Sequence, residues 1–315
     1  LILERDRMRK LALSDEILLK IDKAARYIGG EVNSVMKDKN EVEIRFAMCF
    51  PDVYEIGMSN LGMMILYNMF NQREDVWCER LFSPWPDLDK VMREKKIPLF
   101  ALESQEPIRD FDFLGITIGY EMCYTNILQV LDLSGIPLKS ADRGEDFPIV
   151  IGGGACAYNP EPLAPFFDLF YIGEGETVYD ALFDAYKANK KAGGSRRDFL
   201  LAAAKIPGIY VPSLYEVTYK EDGTIASFAP TEAGVPEKVQ KQLIIDMEKE
   251  YRAVEAPVVP HIKATQDRVT LEIQRGCIRG CRFCQAGMIY RPLRERDVEE
   301  LKESARAMLK NSGHE

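Results

Sequence analysis

The sequence lacks any uninterrupted apolar run approaching the roughly 18 residues of a membrane span, and its N-terminus carries mixed charge instead of a signal-peptide apolar block. Both absences point to a soluble, cytoplasmic protein. It also lacks a surplus of basic residues: 41 Lys and Arg against 50 Asp and Glu give a net charge of -9, which argues against general affinity for nucleic acid. There is no internal repeat and no low-complexity tract. Seven cysteines are present, but a reducing compartment makes metal binding or burial a better explanation for them than disulfides.

What is there is a chain of 315 residues, 46% hydrophobic and 29% charged, enough for two domains. Residues 1–40 are charged and helix-prone, with Leu13, Ile17, Leu18 and Ile21 near helical spacing. From Val42 short apolar runs alternate with helical stretches. The runs are Val42–Met48, Pro98–Leu102, Phe113–Gly119, Ile149–Ile151 and Leu169–Ile172; the predicted helices are Leu61–Asn71, Asp87–Lys95, Asn126–Ser134 and Val178–Lys190. This pattern predicts a doubly wound parallel α/β domain over 41–192. Residues 193–266 read as a β-hairpin, Leu214–Tyr219 with Thr224–Phe228, and a proline- and charge-rich connector.

In such sheets ligands sit beyond the carboxyl ends of the strands. The loops expected there are rich in glycine and polar residues: 50–57 with Asp52, Tyr54 and Gly57, 119–123 with Cys123, Gly152-Gly153-Gly154, and Gly173-Glu174-Gly175-Glu176. Any one of them is also an ordinary tight turn. Four on one edge favour a ligand crevice.

Residues 267–315 begin with Val269–Ile273, which alternates as a strand, and continue into the segment Arg275-Gly276-Cys277-Ile278-Arg279-Gly280-Cys281-Arg282-Phe283-Cys284. A helix follows from Asp297, an N-cap candidate, to Gly313. Gaps of three and two residues let one loop present three thiols to one centre, and iron–sulfur clusters are held by thiolates. Structural zinc is usually closed by four ligands, and no second cysteine pair accompanies this one. The segment from Arg275 to Arg296 holds six arginines and one acid, Glu295. That local field suits an anionic cluster and a carboxylate cosubstrate, leaves nucleic acid open as a substrate, and is equally that of a solvated basic face.

The spacing resembles the CxxxCxΦC signature of the radical S-adenosylmethionine (SAM) superfamily, with Phe283 in the aromatic position. The resemblance implies that Cys277, Cys281 and Cys284 bind a 4Fe-4S cluster whose fourth iron takes SAM. It further implies reductive cleavage to a 5'-deoxyadenosyl radical, a reductant protein such as ferredoxin or flavodoxin, and Phe283 near the adenine. From the residues alone, Phe283 is equally an aromatic core residue.

The α/β domain, with Phe50-Pro51-Asp52 and the glycine runs 152–154 and 173–176, resembles the cobalamin-binding-type module of class B radical SAM proteins. Nearly the whole chain resembles the N-terminal half of an uncharacterised subfamily of them. The implied architecture is a Rossmann-like cobalamin-binding-type domain followed by the first β/α unit of a truncated partial TIM barrel. Where cobalamin proteins carry Asp-x-His-x-x-Gly, this chain has Asp52, Tyr54 and Gly57, with tyrosine in the histidine place, and neither His261 nor His314 lies in the domain. Cobalamin is therefore expected in a histidine-off mode, against Asp52–Gly57, Cys123 and Gly152–Gly154, with Glu174 also a cofactor-binding candidate.

Two other functions stay open: a methylthiotransferase-like modifier of RNA or protein with a second cluster on Cys49, Cys123 and Cys156, and a non-catalytic binding module. Because 31 residues follow Cys284 and a full barrel takes about 250, the sequence reads as a fragment, inactive alone.

Overall fold

The computed structural model describes residues 10–251 and 253–314; residues 1–9 of the expected N-terminal segment and Glu315 lie outside them. Its centre is a six-stranded mixed sheet built from β1 (Ile44–Phe50), β2 (Val76–Phe82), β3 (Phe113–Thr117), β4 (Ile149–Gly153), β5 (Leu169–Tyr171) and β6 (Ile209–Tyr210). The order is β2-β1-β3-β4-β5-β6, with the first five parallel and β6 antiparallel at the edge.

Alternation along β1 shows why both faces are buried. Ile44, Phe46, Met48 and Phe50 point into one core, with the helices Leu61–Asn71, Tyr179–Lys191 and Arg196–Ala203. Ala47 and Cys49 point into the other, with the helices Pro86–Lys95 and Tyr124–Leu133 and with Leu13, Ile17 and Ile21. The first of those helices is closed at its start by Asn60, whose side chain accepts from the Met63 amide at 2.9 Å. Among the described residues of the N-terminal segment, helix is present at Asp15–Leu18 and as a 3-10 turn at Ala24–Arg26, and Leu13, Ile17 and Ile21 cover one sheet face.

Two strands of this sheet lie outside the predicted apolar runs. β2 carries Glu79 and Arg80 at its centre, which hides it from hydrophobic patterning. Both are fully buried and fully paired: Arg80 with Glu31 and Glu103, and Glu79 with Arg45. β6 is only two residues long. It follows the helix Arg196–Ala203, which is closed by a Ser195/Asp198 capping box. The 193–266 stretch thus completes the sheet as well as supplying the hairpin, β7 (Tyr215–Tyr219) and β8 (Ile225–Pro230).

Pro98–Leu102, expected as a strand, instead runs along the outside of β2 with a single bridge from Phe100 to Pro107 and a bond from the Leu102 amide to the Arg80 carbonyl at 2.9 Å. It covers an edge that would otherwise expose unpaired backbone groups. Val269–Ile273 is likewise not a strand; the Ile273 carbonyl accepts from the Arg296 amide at 3.1 Å, and the Ile273 side chain is exposed. In place of a parallel β/α unit, β9 (Gln274–Arg275) pairs antiparallel with β10 (Arg294–Glu295). The last helix, Val298–Ser312, is as expected, with Asp297 accepting from the Glu299 and Glu300 amides and Gly313 left-handed at its end. Among the described residues no helix is long and apolar enough to cross a membrane.

Candidate functional site

The chain passes from β1 outward to β2 and returns across β1 to β3, so the connections diverge at the carboxyl ends of β1 and β3, where open α/β sheets bind ligands. Loops following those strands meet there: the Tyr120 hydroxyl donates to Asp52 Oδ2 at 3.0 Å, and the Asn126 amide donates to the Pro51 carbonyl at 2.9 Å. Beside them a cavity of about 560 Å³ opens between β1, β3 and β4, the helix Leu61–Asn71 and the root of the cysteine segment. Leu61, Ile65, Leu66, Met48 and Ile151 make its apolar wall, and Thr117, Glu174, Glu176, Glu272 and Arg275 supply the polar groups. That size and mixture suit an organic ligand.

Of the residues that the sequence singles out at the strand ends, Gly153, Gly154 and Glu174 line this cavity. At Gly153 and at Gly119 a side chain would meet nothing within 4 Å, so the backbone there is open to the cavity. Gly154 has φ +102 and packs against the Ile118 carbonyl, a conformation and a spacing that favour glycine.

Other expected contacts lie elsewhere. Tyr54 is buried, donating to Glu31 Oε1 at 2.9 Å. Gly57 packs under Phe82 and Gly152 against Phe170, each too closely for a side chain. Asp52 sits outside the cavity wall, bonded to Tyr120 and to the Val53 amide. Cys123 is buried in the second core, where its thiol contacts the Tyr120 carbonyl at 2.9 Å. The reason is common to all five: spacing in a loop identifies the strand end but not which way each residue turns.

Cavity residues that spacing did not single out include Tyr158, Tyr171, Tyr179 and Tyr290. Burial raises the Tyr158 hydroxyl to about 12, so it remains a neutral donor. No histidine lines the cavity; His261 bonds to the Gly29 carbonyl at 3.0 Å, and His314 lines a separate, much smaller cavity.

The cysteine loop rises from the rim. Gly276 (φ +86) starts it, pressed against the Pro292 and Tyr290 carbonyls so closely that any side chain would collide. The Arg279 amide points at Cys277 Sγ at 3.4 Å, the Cys284 amide donates to the Cys281 carbonyl at 3.1 Å, and Lys241 ties the returning segment by donating to the Ile289 and Arg291 carbonyls. Cys281 is exposed and Cys277 and Cys284 are half-buried. Phe283, at 93% exposed, is not a core residue. Among the described residues no three His, Cys, Asp or Glu side chains converge on a single-ion site. A cluster makes a different demand, because each thiolate takes its own iron.

Burial by itself would raise the Glu174 carboxyl, but the hydrogen bond from Arg294, the charge of Arg275 and the Ile244 amide outweigh it and hold it below the usual carboxylate range. Glu55 behaves alike: bonds from Arg26 and Lys23 overcome burial and bring it to about 2, against 4.5 for an unperturbed glutamate. A carboxyl with a depressed folded pKa adds stability that is complete above its unfolded value and lost as pH falls through the folded one. Glu79, raised by burial, offsets part of this. The urea midpoint is therefore expected to hold steady from pH 7 to about 5 and to fall between about pH 4.5 and 2; a midpoint that rises on acidification would contradict these pairings.

Fold and loop together define an open α/β domain with a three-cysteine segment rooted on its ligand edge. Residues 62–212 match the family described as radical SAM proteins, N-terminal, a region that ends well before the cysteines. The chain therefore resembles radical SAM proteins in two separate stretches, the α/β domain and the cysteine motif. Among curated proteins it is 26% identical over 256 residues to uncharacterized protein MJ0966 of Methanocaldococcus jannaschii, covering 81% of this chain and 44% of that one. Two structures of the radical S-adenosylmethionine methyltransferase TsrM from Kitasatospora setae align with 84% of this chain. The one with tryptophan substrate and a SAM analogue bound has TM-score 0.40 and 13% identity and is covered to 45%. The one with cobalamin and a [4Fe-4S] cluster bound has TM-score 0.44 and 14% identity and is covered to 46%. The chain thus spans less than half the length of each of these relatives.

Proposed function

We propose that this chain is part of a radical SAM enzyme in which Cys277, Cys281 and Cys284 hold a 4Fe-4S cluster beside a corrinoid seated in the sheet-edge cavity. The observation that carries it is the shared wall: Arg275 and Gly276, the two residues before Cys277, line the same cavity as Gly153 and Gly154. Three thiols on one accessible loop fit a cluster with one iron left for a cosubstrate. The open backbone at Gly119 and Gly153, the apolar wall and the absence of a lining histidine fit one side of a corrinoid that takes no ligand from the protein, the cavity of about 560 Å³ seating part of that group.

When bound, the cluster supplies the electron that cleaves SAM and the corrinoid supplies a methyl carrier, so the reaction class is methyl transfer or another radical conversion. The chain's own part is to place the two groups next to each other. Gly153 and Gly154 let the backbone approach the ligand closely, and Gly276 turns the loop up at the rim. Tyr158 stays protonated at neutral pH and so donates but does not act as a base. Substrate and reductant would meet the exposed side of the loop, where Ile278 and Phe283 stand free.

Gly153→Leu places a side chain in open cavity space without a backbone clash, so it tests the seat without breaking the fold. After anaerobic reconstitution with hydroxocobalamin and gel filtration, the wild-type chain is expected to retain corrinoid absorbance and the variant to bind at least about tenfold more weakly, the equivalent of about 1.4 kcal/mol. A wild-type chain that elutes without corrinoid would remove the cavity assignment and leave the cluster assignment standing.

A further inference from the structure

The two strands that root the cysteine loop place Arg275 directly opposite Arg294. Like charges at facing positions of a strand pair repel, so this pairing needs an anion between the two guanidinium groups. The α/β domain provides it. Glu174 accepts from Arg294 Nη2 at 2.7 Å through Oε1 and from Arg294 Nη1 at 2.8 Å through Oε2, while Arg275 Nη1 stands 3.2 Å from the same Oε2. The Ile244 amide donates to Glu174 Oε2 at 3.0 Å, and Arg275 is held from its other side by Glu176 at 2.6 Å and Glu272 at 2.8 Å. Glu174 and Arg294 are each 7% exposed. The Glu174 backbone is itself fixed, because its amide donates to the Gln242 carbonyl at 2.9 Å and Gly173 (φ +140) packs on Gln242 too tightly for a side chain.

We propose that Glu174 is the positioning residue of the cysteine loop: its carboxylate, clasped by Arg294 and facing Arg275, closes the strand pair beneath Cys277–Cys284 and sets where the three thiols stand over the cavity. This rests on the reading of that loop as a cluster site. Glu174 reaches no cysteine; it acts through the arginines at either end of the loop, and it joins the loop to the α/β domain at the cavity wall. Glutamine in its place keeps the shape but brings no negative charge, so that Arg294 loses the carboxylate it pairs with, while Arg275 opposite keeps Glu176 and Glu272.

The test uses the anaerobically reconstituted chain, with iron release to a chelator and the electron paramagnetic resonance spectrum of the reduced cluster as readouts. The matched comparison is Asp168→Asn, which removes an equally buried carboxylate from Arg143 and Arg196 at the opposite, amino end of β5. Glu174→Gln is expected to release iron about tenfold faster or more, the scale on which groups behind metal ligands act, with a changed spectrum. Asp168→Asn is expected to stay within about twofold of wild type with an unchanged spectrum, whatever it costs in thermal stability. Equal acceleration in both variants, or none in Glu174→Gln, would overturn the proposal. If Glu174→Gln does not fold by far-ultraviolet circular dichroism, Arg294→Lys, which keeps the charge but not the two-pronged contact, is held to the same comparison. A wild-type chain that takes up no iron removes the cluster reading itself, an outcome distinct from those above.

Discussion

With Cys277, Cys281 and Cys284 all replaced by alanine, the anaerobically reconstituted chain is expected to hold no iron and no acid-labile sulfide, a complete loss from the content of the unaltered chain. The expectation follows from which thiols can act as ligands. A thiolate, not a thiol, binds iron, and the loop cysteines stand at the surface or half-buried. The four remaining cysteines are all buried. Burial raises the Cys49, Cys123 and Cys156 thiols, and Cys49 and Cys123 are at most 1% exposed. Those three behave as small apolar residues of the second core. Iron and sulfide assays with the absorbance near the charge-transfer region measure the outcome. Residual iron in the triple variant would instead favour the two-cluster, methylthiotransferase-like reading, and stoichiometric zinc in the unaltered chain would sink the cluster assignment.

The second large effect concerns stability. Arg80→Met is expected to lower unfolding free energy by about 3 to 5 kcal/mol, the usual result of removing one partner from a buried ion pair. Arg80, Glu31 and Glu103 have no side-chain exposure. Arg80 binds Glu31 through both terminal nitrogens at 3.1 and 2.7 Å and Glu103 through Nε at 2.6 Å, and its own amide donates to Glu103 Oε2 at 2.6 Å. Methionine fills a similar space but leaves two carboxylates buried without a cation. Against a total stability of about 5 to 15 kcal/mol for a typical domain, that is about a fifth or more. Combining Arg80→Met with Glu31→Gln and Glu103→Gln is expected to recover part of the loss, because the uncompensated charges go as well. Urea unfolding of the three chains checks both statements. A loss below about 1 kcal/mol for Arg80→Met would mean that the network is wet or loosely made.

The same network explains a limit of the sequence. Val76–Phe82 does not read as a core strand because its centre is Glu79-Arg80, and the residues that neutralise these charges come from distant segments, at Glu31, Arg45 and Glu103. Pro98–Leu102 reads as a strand because it is apolar, yet its apolar residues cover β2 from outside. Patterning reports burial, and burial alone does not distinguish a strand from the segment that shields it. The helices Leu61–Asn71 and Val298–Ser312 are legible because their helical character is local, and the second also carries its caps, Asp297 and Gly313, in the sequence.

The three-cysteine loop, the alternation of apolar runs and helices that makes an α/β domain, and the glycine-rich ends of its strands can all be read from the order of residues. These are local properties, set by spacing over a few residues. It takes the folded chain to show which glycines open on the cavity, that Tyr54, Gly57 and Cys123 turn inward, that the cysteine segment is rooted on an antiparallel strand pair, and that Glu174 stands between Arg275 and Arg294. Each of those depends on groups that the chain brings together across about twenty residues, as in the strand pair, or across a hundred or more, as at Glu174, or on the direction a side chain takes from its backbone, and neither distance nor direction is written in the order of residues.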